Sequence, residues 1–369
     1  MSRVSPPILA VSEEPGPEPV GSVPELVGSF RGRVVAAIAG LNQRRLLVVV
    51  ALLGLYLVGL VRPTDIDFWW HVKTGELIAR SGSVPMFDPF AFSAVGRPWV
   101  AHEWLWELAV YEVTRLGGYG LATVVSGFVV LAVNIIIYRL LRALGVNELV
   151  AAALVLVAGI LASPSVGVRP REFTQLFLAF YVSRLILYRM GKVRSLWSLP
   201  VVMAVWVNVH GPFVIGLVVL GVFVFGALVQ YAGDWRRSRE SARLPRHLLL
   251  VGLATFLVIG INPRGASMLL YPFSYYLARD NPVFATVTEW QSPNFHDPFY
   301  LIFAATLIPF LVVGSRKKKF DLVTSLLIVG FSVEALISVR NVAIYAPIAI
   351  PLLGERLSDA YAWARELKP

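Results

Sequence analysis

The chain has 369 residues, 57% hydrophobic and only 15% charged, with a mean hydropathy of +0.69. Soluble domains carry about 25% charged residues, so a water-soluble globular class is excluded; the lack of cysteine excludes disulfides and thiolate metal sites. The net charge of +10 resides in segments between apolar runs, where Lys and Arg set membrane topology, so it implies no nucleic-acid partner.

Residues 1–43 are predicted to be a disordered, basic cytoplasmic tail. "SEEPGPEPVGSVPE" is Pro/Glu-rich, Arg31 and Arg33 follow it, and no early apolar core marks a cleaved signal. Residues 44–356 then read as an all-α polytopic transmembrane bundle. Ten spans are expected, centred near residues 53, 129, 156, 180, 202, 221, 255, 307, 330 and 347. Residues 357–369 form a cytoplasmic C-terminal tail. With the N-terminus cytoplasmic, Arg139/Arg142, Arg189/Lys192/Arg194, "DWRRSRESARLPRH" and the basic run 316–319 all fall inside. The unusual polar clusters then share the extracytoplasmic side of a cell (inner) membrane.

The first extracytoplasmic loop, 62–118, is too long for a simple connector. "DFWWHVKTGELIARSG" predicts an amphipathic helix ended by Gly82, with Trp69 and Trp70 at headgroup level. A second helix begins at His102-Glu103 and ends at Gly117-Gly118. Its acidic residues Glu103, Glu107 and Glu112 recur about a turn apart, which places it on the membrane interface. Segment 263–299 is a second large external loop, carrying Arg264, Arg279, Glu289 and His296.

Taken together, "DIDFWWHVKTGE", "PWVAHEWLWE", "RPREFTQLFLAFY", "WVNVHGPFVIG", "NPRG" and "EWQSP" resemble a group of bacterial GT-C-like membrane glycosyltransferases over roughly residues 50–350. That resemblance implies sugar transfer from a polyprenyl-phosphate-linked donor to an extracytoplasmic acceptor: a glycan, a lipid or a protein of the cell envelope. It also implies an essential carboxylate soon after the first span, the place of Asp65 and Asp67. An acceptor hydroxyl needs a carboxylate to take its proton, and a departing lipid phosphate needs Arg, Lys or a metal.

Each candidate has a plainer reading beside the functional one. Asp65 and Asp67 act as base or metal ligands, or they divide the work: Asp67 caps a helix starting at Phe68 while Asp65 acts, or the reverse. A divalent metal at Asp65/Asp67 is the one cofactor considered, with His71 and His102 as further ligands. Otherwise His71 bonds to Asp67 one turn below it. Glu103 is a second acid group, or simply favours the helix dipole. Arg169, Arg171 and Arg340 hold a lipid phosphate, or anchor at the interface. Asn208 and His210 line a polar cavity, or cap and satisfy a turn. Glu289 belongs to the site, or pairs with Arg264 or Arg340. The rival classes are a non-catalytic scaffold that binds lipid or a partner, and a transporter or flippase leaning on Glu334.

Overall fold

The computed structural model describes residues 42–93, 96–238, 242–277, 286–313 and 321–366, together with residue 32. Most of the predicted tail 1–43, Arg279, the run 316–319 and residues 239–241 of the basic loop lie outside the described residues. The chain divides into two units, residues 1–46 and 47–369. In the first, the Asn42 side chain accepts from the Arg45 backbone N–H at 2.9 Å. In the second, the described residues form helices and no strand; an isolated bridge joins Phe87 and Pro98.

The helices are α1 (Gln43–Val58), α2 (Ile66–Ser81), α3 (Trp104–Ala143), α4 (Glu148–Ala162), α5 (Arg171–Arg189), α6 (Ser198–Val209), α7 (Val214–Arg237), α8 (Arg246–Leu257), α9 (Tyr271–Leu277), α10 (Pro298–Val313), α11 (Leu322–Ile337) and α12 (Val342–Glu366). Each of the ten predicted centres falls within one of them. Three helical stretches are long and apolar enough to cross a membrane: Trp104–Ala143, Glu148–Ser165 and Gly211–Arg237. Ser198–Val209, Arg246–Ile261, Pro298–Phe310 and Leu322–Ile337 are apolar but shorter.

The solvent rules of a water-soluble protein are not obeyed. The interior is apolar, built on Leu178, Tyr181, Leu185, Trp206, Phe213 and Tyr345. Yet Leu53, Phe128, Val218, Phe225, Leu253 and Val329 are exposed on the outer helix faces. Large apolar surface on both sides of a helix suits a lipid surround.

Helix ends gather at two poles. At one, Asp65 before α2 meets Arg169 before α5, Asn208 at the end of α6 meets Asn262 beyond α8, and Arg340 between α11 and α12 meets Glu289. At the other, Lys192 reaches the Ala143 carbonyl, Arg189 pairs with Asp321 at 2.8 Å, and the Leu196 N–H donates to His247 at 3.0 Å. The basic residues Arg142, Arg189 and Lys192 therefore occupy the pole away from the polar clusters, where Arg142 and Lys192 also satisfy the Val146 and Ala143 carbonyls.

The first loop departs from its predicted form. α2 ends as expected at Gly82, left-handed with φ 67°. The second helix is the first part of α3 and continues into its apolar part through a kink at Gly117 and Gly118, with φ 66° at Gly118. Its acidic residues do not all face water: Glu103 and Glu107 are buried. They turn inward because α2 packs along this part of α3, and the contact is close at Gly75. A Cβ there would strike the Glu107 carbonyl oxygen and come within 2.6 Å of the Tyr111 Cβ. Phe68, Trp106, Val110, Ala122, Val168 and Val209 form a small separate core beneath α2.

Candidate functional site

Asp65 is the N-cap of α2. Its φ −70° and ψ 132° are extended, and its Oδ1 accepts from the Asp67 N–H at 3.1 Å. Of the two caps the sequence left open, Asp67 or Asp65, the helix uses Asp65 and starts at Ile66, two residues before Phe68. Asp67 instead accepts from the Trp70 indole N–H at 3.2 Å. The expected Asp67–His71 bond is not formed either, because His71 Nδ1 is engaged by Glu107 Oε1 at 3.1 Å. Asp65 and Asp67 thus have separate partners, and among the described residues no His, Asp or Glu completes a metal-holding group with them.

The second oxygen of Asp65 forms an ion pair with Arg169 Nε. The loop carrying Arg169 is held from beneath by Glu172. The buried Glu172 Oε1 accepts from the Gly167 N–H and from the Ser126 hydroxyl, both at 2.8 Å. Glu172 thereby fixes the loop that carries Arg169. Glu172→Leu leaves the Gly167 N–H buried without an acceptor, which costs about 1–3 kcal/mol. A matching fall in the melting temperature of the detergent-solubilised protein is the expected result.

Asp65, Arg169 and Arg171 line a cleft of about 390 Å³ together with Arg62, Thr64 and Pro164. Arg171 is mostly buried and pairs with Glu289 at 3.3 Å. The other oxygen of Glu289 takes Arg340 at 3.2 Å, and the Arg340 guanidinium lies 5.4 Å above the Trp290 ring. Glu289 thus bridges two arginines, one of them the expected Arg340. Arg264 is elsewhere: it donates to the Trp99 and Met86 carbonyls and ties the first loop to the turn beyond α8. Arg171 and Arg340 stand near enough to Arg169 for their charges to oppose its own. This cationic crowd is only partly neutralised by Asp65 and Glu289.

A second polar cluster lies under α2. Glu103 faces three imidazoles: His102 Nε2 at 3.2 Å, His210 Nε2 at 3.5 Å and His71 Nε2 at 3.6 Å. Burial pushes the Glu103 carboxyl up, but His102, His210 and His71 outweigh it and hold the group at about 2. Burial also opposes charge on His102, yet the adjoining Glu103 carboxylate raises it. His210 is more deeply enclosed, and burial takes it down to about 3, with Arg340 and Arg171 among the charges opposing protonation. The two clusters therefore sense each other, but His102 and Arg340 do not line the Asp65 cleft.

The Asn208 side-chain amide satisfies a backbone carbonyl, donating to that of Ala204 at 2.8 Å. Its side-chain oxygen accepts from the Trp104 indole at 2.7 Å and from the Asn262 amide at 3.1 Å. It joins α3, α6 and the segment beyond α8. His210 Nδ1 bonds to Thr174 at 2.7 Å, and Thr174 also accepts from Trp206 at 2.9 Å. Glu334, the residue a transporter would need, is hydrogen-bonded by Asn341 at 3.3 Å near the end of α11. Glu107, Thr174 and Asn262 were missed as site residues. Glu107 was detectable, since Glu103, Trp106, Glu107 and Val110 follow a single helical stripe. Thr174 and Asn262 carry no such signal. Compared with known proteins, the chain matches no protein-family model and no curated sequence.

Proposed function

We propose that the protein is an integral, multi-pass membrane glycosyltransferase of GT-C-like architecture. In this reading ten helices span the cell membrane, some of them short, with the N-terminus cytoplasmic. The sugar comes from a polyprenyl-phosphate-linked donor and goes to an acceptor on the extracytoplasmic side. One observation carries the reading: a carboxylate and two arginines, Asp65, Arg169 and Arg171, share one cleft at the pole opposite the basic loop residues.

The chemistry follows from the charges. A donor phosphate entering the cleft competes with Asp65 for Arg169, and guanidinium binds phosphate with paired N–H donors. Asp65 is thereby released from its ion pair and becomes free to accept a proton. The acceptor oxygen then bonds to the anomeric carbon, its proton passes to Asp65, and the bond from that carbon to the phosphate oxygen breaks. The electron pair leaves with the lipid phosphate, held by Arg169 and Arg171.

The test is donor binding and turnover in proteoliposomes with a panel of labelled polyprenyl-phosphate sugars. Arg169→Ala is expected to weaken binding of an active donor by about tenfold to a hundredfold, the scale of one lost charge-assisted contact. Failure of every donor to bind or react, or unchanged binding by Arg169→Ala, rules the reading out.

A further inference from the structure

We propose that the Asp65 cleft takes a diphosphate carried on a lipid, not a single phosphate, with Arg62 as the handle for the second phosphate. The inference deepens the glycosyltransferase reading and rests on it only for placing a lipid phosphate in this cleft.

Arg62 itself is the first support. It lies beyond the end of α1 and lines the cleft just ahead of Asp65, whereas Arg169 and Arg171 enter from the start of α5. The guanidiniums thus come from separate walls. Arg169 and Arg171 have carboxylate partners, Asp65 and Glu289. Arg62 is exposed, and among the described residues it has no hydrogen bond or ion pair. An arginine that only anchors a helix at the interface lays its stem along lipid; this one lines the cleft.

Charge is the second. The cleft wall carries three guanidiniums, Arg62, Arg169 and Arg171, and one carboxylate, Asp65. Glu289 pairs with Arg171 but is shared with Arg340, so it brings a further guanidinium with it. Glu172 is buried beneath the loop, engaged by Gly167 and Ser126, and lines no part of the cleft. Burial, and then the charges of Arg171 and Arg340, take the Arg169 guanidinium down to about 10. A phosphodiester brings a single negative charge. A diphosphate diester brings a second, which matches the excess that a lone carboxylate leaves on this wall.

Donor capacity is the third. Arg171 reaches Glu289 through Nη1 at 3.3 Å, and its enclosed Nε–H meets no acceptor. Buried donors are paired in the great majority of cases. With the unpaired Arg62 guanidinium added, the wall offers more N–H groups than the protein's own oxygens satisfy. A diphosphate has more acceptor oxygens to give them than a single phosphate has.

Room and apolar surface point to the lipid. The volume of about 390 Å³ falls within the range of about 300–1,000 Å³ for ligand sites. Val61, Ile66 and Val166 flank the charges, and Ile66 is 83% exposed. From Val61, the exposed Leu57 and Leu53 continue along α1 a turn apart, away from this pole. A head group held among the arginines therefore has an apolar track for its chain, which a free diphosphate would not use.

The test measures binding to the full chain in detergent. The probes are polyprenyl phosphate and polyprenyl diphosphate of equal chain length, both without sugar, and inorganic pyrophosphate. The lipid diphosphate should bind about tenfold tighter than the lipid monophosphate. Inorganic pyrophosphate should bind at least about tenfold more weakly than the lipid diphosphate. Arg62→Gln should weaken the lipid diphosphate about fivefold to tenfold and leave the lipid monophosphate within about twofold. Arg62 has no partner to lose, so this variant keeps its fold. Arg80→Gln removes an equal charge from α2 outside the cleft and should change neither lipid. Equal binding of the two lipids, equal losses of both in Arg62→Gln, or pyrophosphate binding as tightly as the lipid diphosphate overturns the inference. If neither lipid binds, the donor reading goes with it. A diphosphate preference that Arg62→Gln abolishes, in a protein that transfers no sugar, upholds this inference and removes only the transfer.

Discussion

Asp65→Asn should cut sugar transfer by about 10²–10⁴, the range for loss of a positioned general base, without harming the fold. The separation is possible because of what each oxygen does. Oδ1 caps α2 by accepting from the Asp67 N–H, and Asn is as good an N-cap as Asp. The other oxygen faces Arg169, and there an amide can neither pair as an anion nor take a proton. Asp67→Asn is the matched control. Asp67 touches the Trp70 indole and lines no part of the cleft, and an Asn oxygen still accepts that bond. The measurement is turnover in proteoliposomes with an active labelled donor, beside melting curves for both variants. Asp65→Asn turning over at the wild-type rate would remove Asp65 as the base. Equal losses in both variants would mean that the loop, not the carboxylate, was damaged.

Part of this arrangement could be read from the residues alone. The apolar runs located the helices, because a segment surrounded by lipid or core cannot hide its composition. Gly82 and Gly117-Gly118 were legible as stops, since positive φ favours glycine at Gly82 and Gly118. External arginines signalled an anion, and Arg169 does face one, though it is Asp65, 104 positions away in sequence. The two-residue error in the start of α2 lies within the uncertainty of any helix boundary. It had a chemical consequence nonetheless, because it decides which of the two aspartates is the cap, and that is Asp65. The more instructive error concerns Glu103 and Glu107. Charges spaced a turn apart normally mark a solvated face. Here the stripe they share with Trp106 and Val110 is buried, and three histidines from separate segments make that burial tolerable. Those partners are His71, His102 and His210. Single-sequence reasoning has no means of bringing residue 210 to residue 103.

Gly75→Ala tests that burial from the backbone side and is expected to be among the most destabilising single-atom additions in the chain. The added Cβ meets the Glu107 backbone carbonyl and the Tyr111 Cβ. A backbone oxygen within a helix cannot swing aside as a flexible side chain can, so α2 must lift from α3. Overpacking of a fitted core costs about 1–3 kcal/mol, and more where nothing yields; the upper end or beyond is expected here. α2 also carries Phe68 of the small core and His71 of the imidazole cluster, so the same variant should lose both. Gly120→Ala is the control: it sits in α3, the partner helix of this contact, and its Cβ would meet nothing within 4 Å. Better helix propensity alone should leave it neutral or up to about 1 kcal/mol more stable. Melting of the two variants in detergent against wild type gives the comparison. If Gly75→Ala melts with the wild type, α2 does not rest on α3 this closely, and the contact between His71 and Glu107 goes with it.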